Sequence, residues 1–248
     1  MDPLFDFSGK VVLVTGGSRG LGHEMVKAFS ERGADVVITS RNRESCSAVA
    51  AEVRSIGRRA LAWPCHIGKW QEIEALVDAS YSEFGKVDVL INNAGMSPVT
   101  PSPADVTEEL FDKIIGVNFK GPFRLTALIG RRMAEASGGC IINVSSSGAL
   151  RPAPRAIPYC GAKAAINAMT EAFAAEFGGS GVRVNTISAG PFLTDISKAW
   201  SERDRTTAHS ALGRPGKPHE VVTTALYLAS SYSSFVTASL ARVDGGIY

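Results

Sequence analysis

The chain has 248 residues, of which 45% are hydrophobic and 20% charged, an ordinary balance for a globular protein with a sizeable apolar core. Its formal net charge of +2 gives no basic excess of the kind that nucleic acid or a membrane surface selects. No apolar run reaches the roughly 18–20 residues that span a bilayer.

Short apolar, β-branched runs alternate with helical periodicity along the whole length. The first strand is expected over 10–15, followed by a glycine-rich turn from Thr15 to Gly22 and a helix over 20–32. A strand over 35–40, a helix over 43–56, a strand over 59–64 and a helix over 70–84 come next. A strand over 87–92 leads into a Pro/Ser-rich loop at 96–107 and a long helix over 107–136. Then come a strand at 139–145, a helix at 159–178 and a strand at 182–188. The segment 190–218 is polar and weakly periodic, as binding lids often are, and a helix at 218–230 and a strand at 239–245 close the chain. Continuously apolar strands separated by helices imply one parallel α/β sheet covered on both faces. The whole of 1–248 is expected to form a single doubly wound, Rossmann-type domain of about seven strands, with ligands beyond the carboxyl ends of the strands.

Three stretches carry chemistry. In the turn after the first strand, Gly16, Gly20 and Gly22 let the backbone approach an anion while the first N–H groups of the helix face it. The spacing is G-x-x-x-G-x-G, so the commoner G-x-G-x-x-G fingerprint is absent. After the second strand stand Ser40, Arg41 and Arg43 with no carboxylate to bind a ribose 2′-hydroxyl, and Arg19 adds a cation inside the glycine turn. Guanidinium groups suit a 2′-phosphate, so NADP(H) is expected over NAD(H). Third, Tyr159 and Lys163 lie four residues apart at the start of a helix whose Ile166, Met169, Thr170 and Phe173 recur at helical spacing. A cation one turn from a phenol is expected to lower its pKa toward the working pH.

Other groups point to less. Cys46, Cys65, Cys140 and Cys160 are scattered and form no C-x-x-C pair. The N-terminal ten residues contain acidic groups and no cationic segment before a long apolar stretch, so no signal peptide is expected. Free thiols in a cytoplasmic protein follow. His23, His66, His209 and His219 are equally dispersed, and no metal site is expected.

With these pieces in place the sequence resembles the short-chain dehydrogenases/reductases, including members that reduce 3-oxoacyl thioesters on acyl carrier protein. The similarity runs from about Phe7 to Gly246 through Thr15–Gly22, Asn92–Gly95, the asparagine at 118, Ile142–Gly148, Tyr159–Lys163 and Val243–Gly246. The resemblance implies that Tyr159 is the proton donor in carbonyl reduction and that Lys163 binds the nicotinamide ribose and lowers the tyrosine pKa. It further implies that Ser146, with Ser145 in reserve, bonds the substrate oxygen, and that Asn118 holds a water in a proton relay. For the cofactor it implies Gly16, Ser18, Arg19, Gly20, Leu21 and Gly22 at the pyrophosphate and Arg41 at the 2′-phosphate. Ile67, Asn93, Gly95, Phe192 and Thr194 complete the implied cofactor contacts, with Asn93 at the adenosine ribose and Phe192 near the nicotinamide. Two departures stand out: His66 and Ile67 replace the usual Asp-Val beside adenine, and Ala189 replaces the usual proline before Gly190.

The expected activity is NADP(H)-dependent interconversion of a ketone and a secondary alcohol, on a small molecule or a 3-oxoacyl thioester. Phe192, Leu193, Ile196 and Trp200 in the lid, with Met96, Pro98 and Val99, suggest an apolar pocket. Alternatives are an NAD-linked sugar, polyol or steroid alcohol dehydrogenase, or a non-catalytic NADP-binding regulator. The resemblance implies a homotetramer built on helices 107–136 and 159–178 and the last strand. Arg131 and Arg132 are the residues that could meet an acidic carrier, although exposed helix arginines explain them equally well.

Overall fold

The computed structural model describes residues 3–195, 197 and 209–247. Seven parallel strands form one sheet: β1 (Val11–Thr15), β2 (Asp35–Ser40), β3 (Ala60–Pro64), β4 (Val89–Asn92), β5 (Gly139–Ser146), β6 (Val182–Ala189) and β7 (Leu240–Val243). Their spatial order is β3-β2-β1-β4-β5-β6-β7, so the winding reverses between β1 and β4. That reversal opens a crevice at the carboxyl ends, where α/β sheets bind ligands.

The helices are α1 (Gly20–Glu31), α2 (Arg43–Ser55), α3 (Trp70–Phe84), α4 (Glu108–Ile115), α5 (Gly121–Ala134), α6 (Ile157–Gly178) and α7 (Val222–Ala229). They cover both faces, as strand alternation requires. Val12 and Val14 pack with Met25, Phe29, Val49 and Leu226 from α1, α2 and α7. Val11 and Leu13 pack with Ile73, Leu76, Leu125 and Ile129 from α3 and α5. Each fully buried side chain of this size contributes roughly 1.5–3 kcal/mol. The two layers therefore hold the sheet rigid while its carboxyl edge stays available.

One expected element is corrected. The helix read as continuous over 107–136 is α4 and α5 joined by a π-helical turn, Gly116–Lys120. Asn118 causes the break locally: its side-chain amide donates to Ile114 O at 3.0 Å, the carbonyl one turn back. The ladder then loosens so that Gly121 N donates to Gly116 O. Gly121 permits the resulting approach to the β3–α3 turn, because a Cβ there would lie 2.1 Å from Ile67 O. The remaining elements match within a residue or two, except that the helix expected over 218–230 opens with a 3-10 turn, Pro218–Val221, before α7; the loop at 96–107 contains a short 3-10 turn, Pro103–Asp105, closed by its own capping box.

Candidate active site

The glycine turn is built by close approach. Gly16 and Gly20 have φ of 64° and 56°, and a Cβ at Gly22 would lie 2.2 Å from Gly16 O. Thr15, which the sequence reading did not single out, ties this turn to the end of β4. Its hydroxyl accepts from Asn93 N at 2.9 Å and Ala94 N at 3.0 Å, and Asn93 Nδ2 donates to Thr15 O at 2.9 Å. A hydroxyl at a strand end beside glycines was the signal available for it. The N-terminus of α1 has no side-chain cap, unlike α2, capped by Asn42, and α4, capped by Thr107. Its first N–H groups are therefore free to face an anion.

Around this turn, Ser18 Oγ donates to Ser40 Oγ at 3.0 Å, joining the glycine turn to the end of β2. Arg41 and Arg43 are exposed and make no side-chain hydrogen bond or ion pair. Arg19 lies 3.6 Å from Asp195, and Thr194 comes close to Gly20, so the segment after β6 reaches across the turn. Ile67 is buried after β3, while the His66 ring folds back to accept from Gly68 N at 3.1 Å. Phe192 is directed into the core against Gly216, with which it forms a β-bridge. Leu21 packs against that same core. Ile196 and Trp200 lie outside the described residues.

The second cluster sits where β5 meets α6. Pro158 opens α6, and Tyr159 and Lys163 follow one turn apart. Ser146 caps a 3-10 turn, its Oγ accepting from Gly148 N at 3.0 Å, and its hydroxyl favours the ionised form of the neighbouring Tyr159 phenol. Ser145 points the other way: it is buried and donates to Lys163 O at 3.0 Å. The geometry thus brings Ser146 and Tyr159 together and sets Ser145 apart. Gly148 keeps the space above them open, since a Cβ there would lie 3.3 Å from both Ser146 Oγ and Cys160 Sγ.

Lys163 is fully enclosed, and burial lowers its pKa to about 8. Its amine donates to Val144 O at 2.7 Å and stands 6.0 Å from the Tyr159 ring centroid. Burial pushes the Tyr159 phenol up, the Ser146 hydroxyl pulls it down, and the neighbouring Cys160 raises it. The expectation that Lys163 holds this phenol low is not met in the chain itself, because the amine faces a carbonyl and desolvation outweighs the rest. Asn118 is buried, donating to Met96 O at 2.9 Å and accepting from Met96 N at 3.1 Å. Its Oδ1 and Lys163 Nζ both approach the open side of Gly95. All four cysteines are free and buried. Among the described residues no group of His, Cys, Asp or Glu is placed to hold a metal, and no helix is long and apolar enough to cross a membrane.

Comparison with known proteins agrees with this arrangement. A family model described as enoyl-(acyl carrier protein) reductase matches residues 16–248. The D-threitol dehydrogenase of Mycolicibacterium smegmatis is 33% identical over 98% of this chain and 95% of its own length. The NAD-dependent glycerol dehydrogenase of Listeria innocua is 35% identical over 99% and 96%. The 3-oxoacyl-(acyl-carrier-protein) reductase of Thermotoga maritima is 33% identical over 96% and 98%. Among solved structures, the 3-ketoacyl-(acyl-carrier-protein) reductase of Brucella melitensis complexed with NADH superposes with a TM-score of 0.89 at 34% identity, covering 97% and 99% of the two chains. A blue fluorescent protein from a metagenomic library, in complex with NADPH, gives 0.92 at 30% identity, covering 97% and 98%. A sheet wound in this order, a glycine turn at its reversal point and relatives matched from end to end lead to one conclusion: the chain belongs to the short-chain dehydrogenase/reductase family of oxidoreductases acting on CH–OH groups.

Proposed function

We propose that the protein interconverts a small ketone and its secondary alcohol with NADP(H), using Ser146, Tyr159, Lys163 and Asn118. The observation that carries this reading is the placement of Ser146 beside the Tyr159 phenol, with an enclosed Lys163 one turn on, at the carboxyl edge of the sheet. The residues present fit a nicotinamide dinucleotide: an uncapped helix N-terminus behind a glycine turn for the pyrophosphate, and unpaired cations after β2 for a 2′-phosphate. Gly16, Ser18, Arg19, Gly20, Leu21 and Gly22 would hold the pyrophosphate side, with Arg41 at the 2′-phosphate. Ile67, Asn93 and Gly95 would line the adenosine side and the ribose, with Thr194 and the Phe192 backbone nearer the nicotinamide. The cofactor, when bound, supplies or accepts the hydride.

The chain's own residues manage the proton and the substrate oxygen. Tyr159, kept protonated by burial, donates to the developing alkoxide, while Ser146 holds the carbonyl oxygen from the β5 side. Lys163 turns from Val144 O toward the ribose and the phenol, and Asn118 Oδ1, beside it, orients a proton-relay water.

Loss of NADPH absorbance across a panel of oxo acids, diketones, keto-sugars, steroid ketones and 3-oxoacyl thioesters tests the proposal. We expect turnover that falls by three or more orders of magnitude in Tyr159→Phe. Tight NADPH binding without turnover on any substrate would favour a nucleotide-binding regulator instead. The NAD-dependent glycerol dehydrogenase relative keeps an NAD-linked polyol dehydrogenase as the second reading, and equal or tighter binding of NADH would select it. Arg131 and Arg132 give no support to an acyl-carrier partner, since Arg131 pairs with Glu135, and Arg132 pairs with Asp78 and stacks on Tyr81. Exposed Phe111, Phe123 and Ile157 on α4, α5 and α6 support assembly into a homotetramer through those helices, which light scattering would test. Four free thiols fit a cytoplasmic setting.

A further inference from the structure

Most arginines of the described residues have a carboxylate partner: Arg19, Arg58, Arg59, Arg124, Arg131, Arg132, Arg214 and Arg242 all do. Arg32, Arg54 and Arg183 instead bond backbone carbonyls within 3.3 Å. Four more have no carboxylate partner and lie beyond the carboxyl ends of strands, although Arg151 and Arg155 each touch one backbone carbonyl, at 3.5 and 3.3 Å. Arg41 and Arg43 follow β2, at the proposed 2′-phosphate position. Arg151 and Arg155 follow β5, on the one loop that joins Ser146 to Tyr159.

That loop is stiff. Arg151 N donates to Ser147 O at 2.8 Å, one turn past the Ser146 cap, and the side chain of Arg151 touches only its neighbour's carbonyl, at 3.5 Å. Pro152 and Pro154 fix φ at two of the three positions between the arginines. Arg155 is pinned to the opposite loop: Thr100 N donates to Arg155 O at 3.2 Å, and Arg155 Nε donates to Thr100 O at 3.3 Å. This leaves Nη2 of Arg151 and both terminal nitrogens of Arg155 without a partner. The nearest acid on the facing loop, Asp105, accepts from Ser102 N in its own capping box.

We propose that Arg151, assisted by Arg155, recognises a carboxylate on the substrate, making the protein a dehydrogenase of short-chain oxo or hydroxy acids. The proposal rests on the oxidoreductase reading above and names its substrate class. Arg151 follows Ser146 by five residues, just past the 3-10 turn Ser147–Ala149 and on the loop that leads to Tyr159. A short oxo acid with its carbonyl on Ser146 and Tyr159 would present its far end to this loop and its guanidinium groups. A forked guanidinium matches a carboxylate bidentately. A phosphate is the poorer fit because Pro152 and Pro154 remove two backbone N–H donors of the kind that phosphate sites recruit.

The test pairs charged and neutral probes of one shape. Calorimetry measures pentanoate and pentanamide binding with and without NADPH, for the wild type, Arg151→Ala, Arg151→Lys and Arg155→Ala. Steady-state assays compare kcat/KM for 4-oxopentanoate and its methyl ester. We expect about a tenfold preference for the acid in both measurements, discounted for exposure from a charge-assisted bond. It should fall toward one in Arg151→Ala and lie between in Arg151→Lys, which keeps the charge but not the fork. A wild-type preference near one, or a preference that neither Arg151→Ala nor Arg155→Ala moves, would overturn the proposal. Failure of the oxidoreductase reading shows differently: neither oxo compound is turned over, while the pentanoate-to-pentanamide ratio still reports on the arginines.

Discussion

Lys163 sets a pH dependence that can be read without any substrate. Burial lowers its pKa from 10.5 to about 8, so between those values the unfolded chain binds more protons than the folded one and stability rises with pH. Below about pH 8 the folded protein holds a buried ammonium at a cost on the order of 3 kcal/mol. Tyr159 acts in the opposite sense: its raised pKa keeps the phenol protonated in the folded state, so stability falls as pH climbs past 10. The rising limb should therefore lie between about pH 8 and pH 10. Lys163→Met, which fills the same space without charge, should be more stable than wild type at pH 7 and should lose that limb, read as Tm against pH. An unchanged slope would mean that water reaches the amine. The two serines separate in another way. Ser146→Ala should lower kcat by about a hundredfold or more and, through loss of its cap on Gly148 N, cost no more than about 1 kcal/mol of stability. Ser145→Ala, which removes the hydroxyl bonded to Lys163 O, should instead cost about 1 kcal/mol of stability. The reverse split would exchange their proposed roles.

Between elements, a chain of buried polar groups fixes how α6 lies on the sheet. Asn92 Nδ2 donates to Thr126 Oγ1 and Asn143 Oδ1, Asn143 Nδ2 donates to Thr170 Oγ1, and Thr170 and Thr186 hydroxyls meet at 2.8 Å. This ladder crosses α5, β4, β5, α6 and β6, and it sets the register between the strand that carries Ser146 and the helix that carries Tyr159. Thr170→Val keeps the shape but leaves Asn143 Nδ2 without its acceptor, so chemical denaturation should show a loss of about 1–3 kcal/mol. A neutral result would mean that packing alone sets the register. Sequence periodicity exposed α6 and the alternating strands because each buries a continuous apolar stripe. It concealed the π turn at 116–120, since an extra residue in a helical turn changes the hydrogen-bond ladder and leaves the apolar repeat almost intact. Gly116, Gly121 and Pro122 were the visible traces. Likewise Asn118 was legible as a candidate, but its grip on Met96 and Ile114 was not, because those partners are backbone atoms that sequence does not distinguish.

At the scale of the whole molecule, charge is sorted by place. Helical and outer-edge arginines are neutralised by Glu74, Asp78, Glu83 and Glu135, whereas the unpaired ones collect at the ligand edge of the sheet. The glycine turn and the Arg-bearing end of β2 were legible because strand order follows from winding rules and ligand position follows from strand order. The pairing of Arg19 with Asp195 was not, since it joins segments far apart in sequence across the crevice. That pairing leaves Arg41 and Arg43 as the exposed cations without a carboxylate partner beside the glycine turn, so any discrimination by a 2′-phosphate there would be electrostatic and exposed. Exposed interactions weaken as the Debye length falls from about 30 Å at 0.01 M salt to about 3 Å at 1 M. NADPH and NADH share every contact except the 2′-phosphate, so the ratio of their dissociation constants isolates it. Fluorescence titration should show NADPH favoured at low salt, with the ratio shrinking by about tenfold across that range. Arg41→Ala should flatten the dependence at the low end. A large ratio that salt does not move would assign discrimination to the Ser18 and Ser40 hydroxyls, which meet at 3.0 Å, and a ratio below one at every salt concentration would assign the protein to NAD.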